Sequence, residues 1–399
     1  AAGDINTLVG CSQFNPQPGT KTFTAINGRG FKTELVTDDQ GNVLTERRYL
    51  DATNHLDTIR TYDASNNTLT ERDPEGNVRT FTYDAKGNRL TEVDPGGRTT
   101  AYIYDPGCNK VVAITDPAGN VTRNTYDEKC NLRFVQDALL KTTEYRYNSY
   151  GQRTQMIDPN GTTWTWNYLP NGLLQNVVDP FGKATTFSND AKGNLLSRTD
   201  RNNRRIDFQY DASNRLTRET WDNGRVSTYG YDDLGALLTA GDPDSSLTMA
   251  YDTLGRLQSV DNLGTPGAPR VVMSYSYDAN GNTTRVQDSL GGITDYSYDP
   301  LDRLSRVTQS GAGVQPKRVD MTYSPANLLT QLKRFSDLAG TLGVANTNYE
   351  YDCGACAGRL TAIRHRKASD NAVIHDMTFV RDPLDNISSS RDAEGVHSY

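Results

Sequence analysis

A tyrosine followed by an aspartate returns along this chain at Tyr62-Asp63, Tyr83-Asp84, Tyr104-Asp105 and Tyr126-Asp127, then at Tyr210-Asp211, Tyr231-Asp232, Tyr251-Asp252, Tyr277-Asp278, Tyr298-Asp299 and Tyr351-Asp352. Tyr147, Tyr168 and Asn189 fill the gap between 126 and 210 in register. From 62 to 251 the spacings are 21, 21, 22, 21, 21, 21, 21, 21 and 20 residues. A fixed period of this size marks a repeat architecture, in which one unit is too small to bury a core and is completed by its neighbours.

Each period carries two reversal signals. The first follows Tyr-Asp, as in Tyr83-Asp-Ala-Lys-Gly-Asn-Arg-Leu90. Four residues after each Tyr stand Asn66, Gly87, Cys108, Cys130, Gly151, Gly172, Gly193, Asn214, Gly235, Gly255, Gly281 and Asp302. Ten of these twelve are Gly, Asn or Asp, which tolerate positive φ, so the column reads as the left-handed position of a hairpin turn. The Asp after Tyr is placed to accept turn amides. The second signal is Asp-Pro-x-Gly, at 73–76, 94–97, 116–119, 158–161 and 179–182. Two reversals per 21 residues leave two strands of about six residues, an antiparallel meander. Tyr83, Asp84, Gly87, Tyr104, Asp105, Tyr126, Asp127, Tyr210, Asp211, Tyr231 and Asp232 are therefore read as structural repeat positions.

Two residues before the repeat Tyr lie Phe81, Tyr102, Tyr145, Trp166, Phe187, Phe208, Tyr229, Tyr275, Tyr296 and Tyr349. An i, i+2 pair shares one face of a strand, so that face carries two aromatic columns, read as stacked rings, and the other is largely polar. About fifteen repeats at roughly 10 Å each make a ribbon on the order of 150 Å. Some 30 twisted strands cannot stay flat. The predicted fold is all-β: a repetitive antiparallel hairpin array coiling into a curved single-layer wall or partial hollow shell.

Composition agrees with a wall and excludes other classes. Leu, Ile, Val and Phe total 77 of 399 residues, about 19%, a level associated with disorder. Net charge is only −7, however, with 22 Tyr, 10 Phe and 3 Trp, and a disordered chain is charge-rich and aromatic-poor. No apolar run of about 18 residues provides a membrane span. A pI near 5.3 without a basic block argues against nucleic acid as a partner.

The phased Tyr-Asp-x-x-Gly-Asn/Arg and Asp-Pro-x-Gly motifs, from about Thr37 to Tyr399, resemble the rearrangement-hotspot (RHS) or YD-repeat family. That family includes bacterial polymorphic-toxin shells, shell components of insecticidal toxin complexes, and animal teneurins. The resemblance implies a hollow β-cocoon around a toxin polypeptide, hence a non-catalytic shell segment of a secreted or cell-surface protein that encloses or scaffolds a toxin or effector. The family's autoproteolytic aspartate segment has no counterpart here, so the chain reads as a wall fragment. An extracellular carbohydrate- or cell-surface-binding module is the alternative.

Residues 1–36 lack the repeat and read as a lead-in strand or a plug over the first sheet edge; 37–399 form the repeat region. The chain opens Ala1-Ala2-Gly3 without Met and reads as a processed product or an excerpt. Leu8-Val9-Gly10-Cys11 resembles a lipid-attachment box, but no apolar stretch precedes it. Beyond Tyr251 the period lengthens to 26, 21, 25 and 28, with the surplus placed in turn-rich stretches at 264–269, 311–316 and 336–347.

Few residues invite chemistry. Cys353 and Cys356, with His365 and His375 downstream, are compatible with zinc, a local disulfide or free thiols. Cys108 and Cys130 share a turn column, but turns two strands apart should stand roughly 10 Å apart, against about 7 Å for a disulfide, which favours free thiols. Trp164, Trp166 and Tyr168 are the densest group for glycan stacking; packing between neighbouring repeats is the competing role. The carboxylates recur with the turns, no nucleophile relay or phosphate loop is evident, and no cofactor is expected.

Overall fold

The computed structural model describes residues 19–264, 267, 269–352, 358–382, 384 and 386–398. The Leu8–Cys11 segment lies outside them. Among the described residues every regular element is a strand, numbered β1 (Thr20–Ile26) to β34 (Val396–Ser398) in chain order, and the 34 strands form one sheet. Consecutive strands pair antiparallel, as in β6 (Val78–Tyr83) with β7 (Arg89–Val93), and β7 with β8 (Thr99–Tyr104). The chain divides into two compact units. One holds the described residues up to Tyr102, with Thr115–Gly119 and those from Tyr275; the other holds Ile103–Ile114 and Asn120–Ser274.

One turn chemistry serves both edges of the sheet. After β6, the Asp84 amide donates to the Asn88 carbonyl and the Gly87 amide to the Asp84 carbonyl; the Asp73-Pro-Glu-Gly76 turn repeats both bonds between Asp73, Gly76 and Asn77. The left-handed position is Gly87 at φ 82° in the first and Gly76 at φ 90° in the second. The two sequence signals are thus one five-residue turn. What separates the edges is a bulge. Thr82 pairs with Thr91 but Tyr83 with Arg89, so the return strand carries one extra residue opposite the tyrosine. The same slip falls at Tyr62, Tyr126, Tyr147, Tyr168, Tyr210, Tyr231, Tyr251, Tyr298 and Tyr323. A bulge increases local right-handed twist, and here it recurs once per repeat.

No large side chain among the described residues is fully buried. The buried set is small: Ala345, Ala362, Thr37, Ser197, Thr347 and Ser390. Order therefore rests on ladders and half-buried side chains, with no thick core.

Two expectations need correction. The surplus of the period after Tyr251 lies in the connection 262–271, as expected, but from Leu304 on it goes largely into longer strands: β27 (Leu304–Gly311), β30 (Gly343–Tyr351), β31 (Leu360–Lys367) and β32 (Val373–Arg381) have 8, 9, 8 and 9 residues, against 5 or 6 in most earlier strands. Cys108 and Cys130 are joined in a disulfide with Cα atoms 5.5 Å apart. The 22-residue repeat adds one residue to the 105–110 turn, so Asp105 N bonds Lys110 O and the left-handed residue is Asn109, not Cys108. That displacement brings Cys108 within reach of the neighbouring turn.

Candidate functional site

The site is the repeat itself, built from the turn outward. Asp84 Oδ1 accepts the amides of Lys86 (2.8 Å) and Asn88 (2.9 Å), and Oδ2 accepts the Asn88 side-chain amide at 2.9 Å. Asp127 repeats this with Lys129 and Asn131. In Asp211 the fifth position is Arg215, whose Nε donates to Oδ2 at 2.7 Å. Asp105 accepts Gly107 and Cys108, and Asp232 accepts Leu234 and Ala236. These bonds hold carboxyls below their usual range: the Asn88 side chain acts first on Asp84, the Asn131 side chain on Asp127, and the Arg215 amide on Asp211.

The tyrosines do something the sequence did not reveal. Tyr126, Tyr147, Tyr168, Tyr231 and Tyr298 each donate their hydroxyl to a carbonyl fifteen residues back: Val111, Leu132, Arg153, Leu216 and Thr283. Each acceptor lies on the return strand of the preceding repeat, so every bond fastens one unit to the one before it. Tyr83, Tyr104 and Tyr126 occupy the same place, the last residue of their strands. Desolvation raises the pKa of Tyr83, Tyr147 and Tyr210.

At two places along the sheet, rings pack on an arginine of the strand between them. Arg89, on β7, lies 5.8 Å from the Phe81 centroid and 5.3 Å from that of Tyr102; Arg153 lies 5.9 Å from Tyr145 and 4.1 Å from Trp166. The physical reason is spacing. Rings on every second strand are roughly 10 Å apart, and the intervening return strand supplies a guanidinium that fills the gap.

Trp164 and Trp166 are half-buried. One face of Trp166 is taken by Arg153, whose carbonyl also accepts from Tyr168 at 2.9 Å. Trp166 and Tyr168 are thus engaged within the sheet. Cys353 and Cys356 lie outside the described residues. His365 and His375 stand opposite each other on β31 and β32, with His365 Nδ1 2.7 Å from the Thr347 hydroxyl. Among the described residues no group of three or more His, Cys, Asp or Glu is placed to hold a metal ion.

Within the first unit the chain also meets itself. The turn between β1 and β2 (Lys32–Asp38) lies on the Tyr-Asp turns at 278–282 and 299–303. Arg29 N donates to Asn280 Oδ1 at 3.2 Å, Nη1 donates to Tyr298 O at 3.2 Å, and Nη2 reaches Asp299 O and Asp302 Oδ1; Nε is 3.5 Å from Asp278. A Cβ on Gly28 would stand 2.4 Å from the Ala279 carbonyl oxygen, so only glycine permits this approach. The Ala326 amide donates to Glu75 Oε1. Arg29–Asn280 and Glu75–Ala326 are both separated by 251 residues, about twelve repeats.

Residues 62–99, 88–121, 190–220 and 277–314 match the RHS Repeat family. No curated protein matches the sequence. The fold is similar to that in crystal structures of a TcdB2-TccC3-Cdc42 protein (TM-score 0.75, 16% identity, covering 94% of this chain and 23% of the other) and a TcdB2-TccC3-TEV protein (0.78, 16%, 98% and 24%). The Photorhabdus luminescens Tc holotoxin pore is similar too (0.72, 16%, 94% and 22%). The chain spans about a quarter of the length of these structures.

Proposed function

We propose that this chain, four stretches of which match the RHS Repeat family, serves as a non-catalytic wall segment of a secreted or cell-surface shell that encloses or scaffolds a toxin or effector polypeptide. The observation that carries the reading is that, among the described residues, 34 strands in one sheet bury no large side chain completely. Residues spent this way make surface, which supports a structural role. Several repeats are fastened to the previous one by a tyrosine hydroxyl, and at Arg89 and Arg153 by an arginine between rings, which is how a wall is extended without thickening it.

Two further observations support the reading. The Cys108–Cys130 disulfide suits an oxidising, extracellular setting. The half-exposed row of rings and guanidinium groups offers an enclosed polypeptide many weak contacts and no single tight one.

Limited proteolysis of the complete polypeptide that carries this wall tests enclosure. The enclosed segment should resist cleavage until the wall is unfolded. Cleavage at the rate of the free segment would contradict enclosure while leaving the wall architecture standing.

A further inference from the structure

The turns that follow the tyrosine column open on an aspartate at 63, 84, 105, 127, 190, 211, 232, 252, 278 and 299. Within that span Asn148 and Leu169 are the two exceptions, and they are consecutive. Asn148 keeps the turn without the charge: its Oδ1 accepts the amides of Tyr150 and Gln152 at 3.0 Å each, and its Nδ2 donates to Gln152 Oε1 at 3.0 Å. Gln152 Nε2 donates to the Gly172 carbonyl at 2.8 Å and so ties the two turns together. Leu169 offers no side-chain acceptor. The Leu173 amide bonds Asn171 Oδ1 at 3.2 Å instead. Asp127 takes the amide two residues on, at Lys129; at the same place after Leu169, the Asn171 amide has no acceptor among the described residues.

Between these turns lies a groove of about 560 Å³, a size within the range of small-ligand sites, and every residue that lines it is uncharged. Tyr150, one of the lining residues, is 85% exposed. We propose that this groove is a carbohydrate subsite for a neutral glycan: one sugar ring lies on the face of Tyr150, and its hydroxyls bond Asn148, Gln152 and Asn171. A sugar ring has a face of C–H groups and a rim of hydroxyls that both donate and accept. The exposed aromatic ring matches the first. Carboxamides match the second, since each carries donors and an acceptor, and Asn148 and Gln152 each keep one N–H after the bonds that hold them in place. Because those bonds fix the side chains beforehand, little ordering is left for the ligand to impose. The Asn171 amide adds a main-chain donor. A lining without charge gives an acidic or basic ligand no ion partner. The site stands whether or not the wall encloses a cargo.

Isothermal titration of the whole chain with maltohexaose, cellohexaose, chitohexaose and mannohexaose tests the subsite. At least one should bind saturably, about tenfold or more weaker with Tyr150→Ala and within about threefold of the parent with Tyr150→Phe, which keeps the ring. Leu234→Ala, which changes the same turn position in another repeat, should leave binding as it is, and unchanged thermal melts show that the variants fold. Absence of saturable binding by all four sugars overturns the proposal, as does binding indifferent to Tyr150→Ala. Binding of decaproline in place of the sugars, lost with Tyr150→Ala, overturns it too and gives the groove to an extended peptide.

Discussion

The hydroxyl of Tyr168 donates to the carbonyl of Arg153 at 2.9 Å, while the guanidinium of the same arginine lies 4.1 Å from the Trp166 ring. Arg153 is also the ladder partner of Tyr147. One residue of a return strand thus joins two tyrosines of consecutive repeats, through its backbone to both and through its side chain to the ring face. The fifteen-residue hydroxyl bond recurs at Tyr126, Tyr147, Tyr231 and Tyr298, which makes it the unit of cohesion along the sheet.

Removing that hydroxyl should cost about 1 kcal/mol per repeat, the net worth of one hydrogen bond. Tyr126→Phe and Tyr231→Phe, far apart in the sheet, should add when combined. Urea denaturation checks both statements. A combined loss much smaller than the sum would show that the repeats are not fastened independently.

Stability should fall at both ends of the pH scale. The Asn67, Asn88 and Asn131 side chains hold Asp63, Asp84 and Asp127 below the usual carboxylate range, and Arg204 brings Asp200 to about 2. A folded-state pKa below the unfolded value of about 4 gives stability that is present above that value and lost as pH falls through the folded one. Burial raises Tyr83, Tyr147, Tyr210, Tyr298, Tyr323 and Tyr351. Their contribution is complete below about pH 10 and lost as pH rises through the raised values. The urea midpoint should therefore be flat between about pH 5 and 9 and decline on either side.

Leu140 holds the left-handed position of its turn at φ 62°, where neighbouring repeats have Gly119 and Gly161. Its side chain is 67% exposed, so it gains little from packing. Leu140→Gly should raise stability by roughly 1 kcal/mol, the strain relieved outweighing the added freedom of the unfolded chain. A lower urea midpoint would contradict this.

The Cys108–Cys130 bond closes a loop with a sequence separation of 22. Loop closure of that size is worth roughly 3 kcal/mol, so reduction should lower stability by about that amount. Mass spectrometry of a non-reduced digest should recover the two cysteines in one linked peptide pair.

Gly28→Val should break the contact between the β1–β2 turn and Ala279 without unfolding residues 120–274. Hydrogen exchange should quicken at 278–282 and 299–303 and stay unchanged at 142–147 and 163–168. Loss of protection everywhere would mean that the turn supports the whole sheet.

What can be read from the sequence is local. A column of Gly and Asn four residues after each tyrosine announces positive φ whatever surrounds it, and Gly87, Gly151 and Gly235 follow that rule. The tyrosine bonds are not legible, because the acceptor at Val111 or Leu132 depends on a bulge in the preceding hairpin. The expectation of free thiols at Cys108 and Cys130 fails because it treats every turn as the same length, whereas one added residue moves the left-handed position to Asn109. The arginine contacts are not legible because the return strand looks featureless, although Arg89 and Arg153 stand on it between the rings. The Arg29 contact joins residues 251 apart in sequence, and no local pattern encodes that distance.

The central claim is that order is spread evenly along one sheet with no core to concentrate it. Native-state hydrogen exchange at residue resolution measures this directly. Strand amides of successive repeats from 62 to 260 should show similar opening free energies, with protection recurring about every 21 residues and dropping at each turn. A single contiguous block protected far above the rest, with the remaining repeats exchanging as loops, would contradict it.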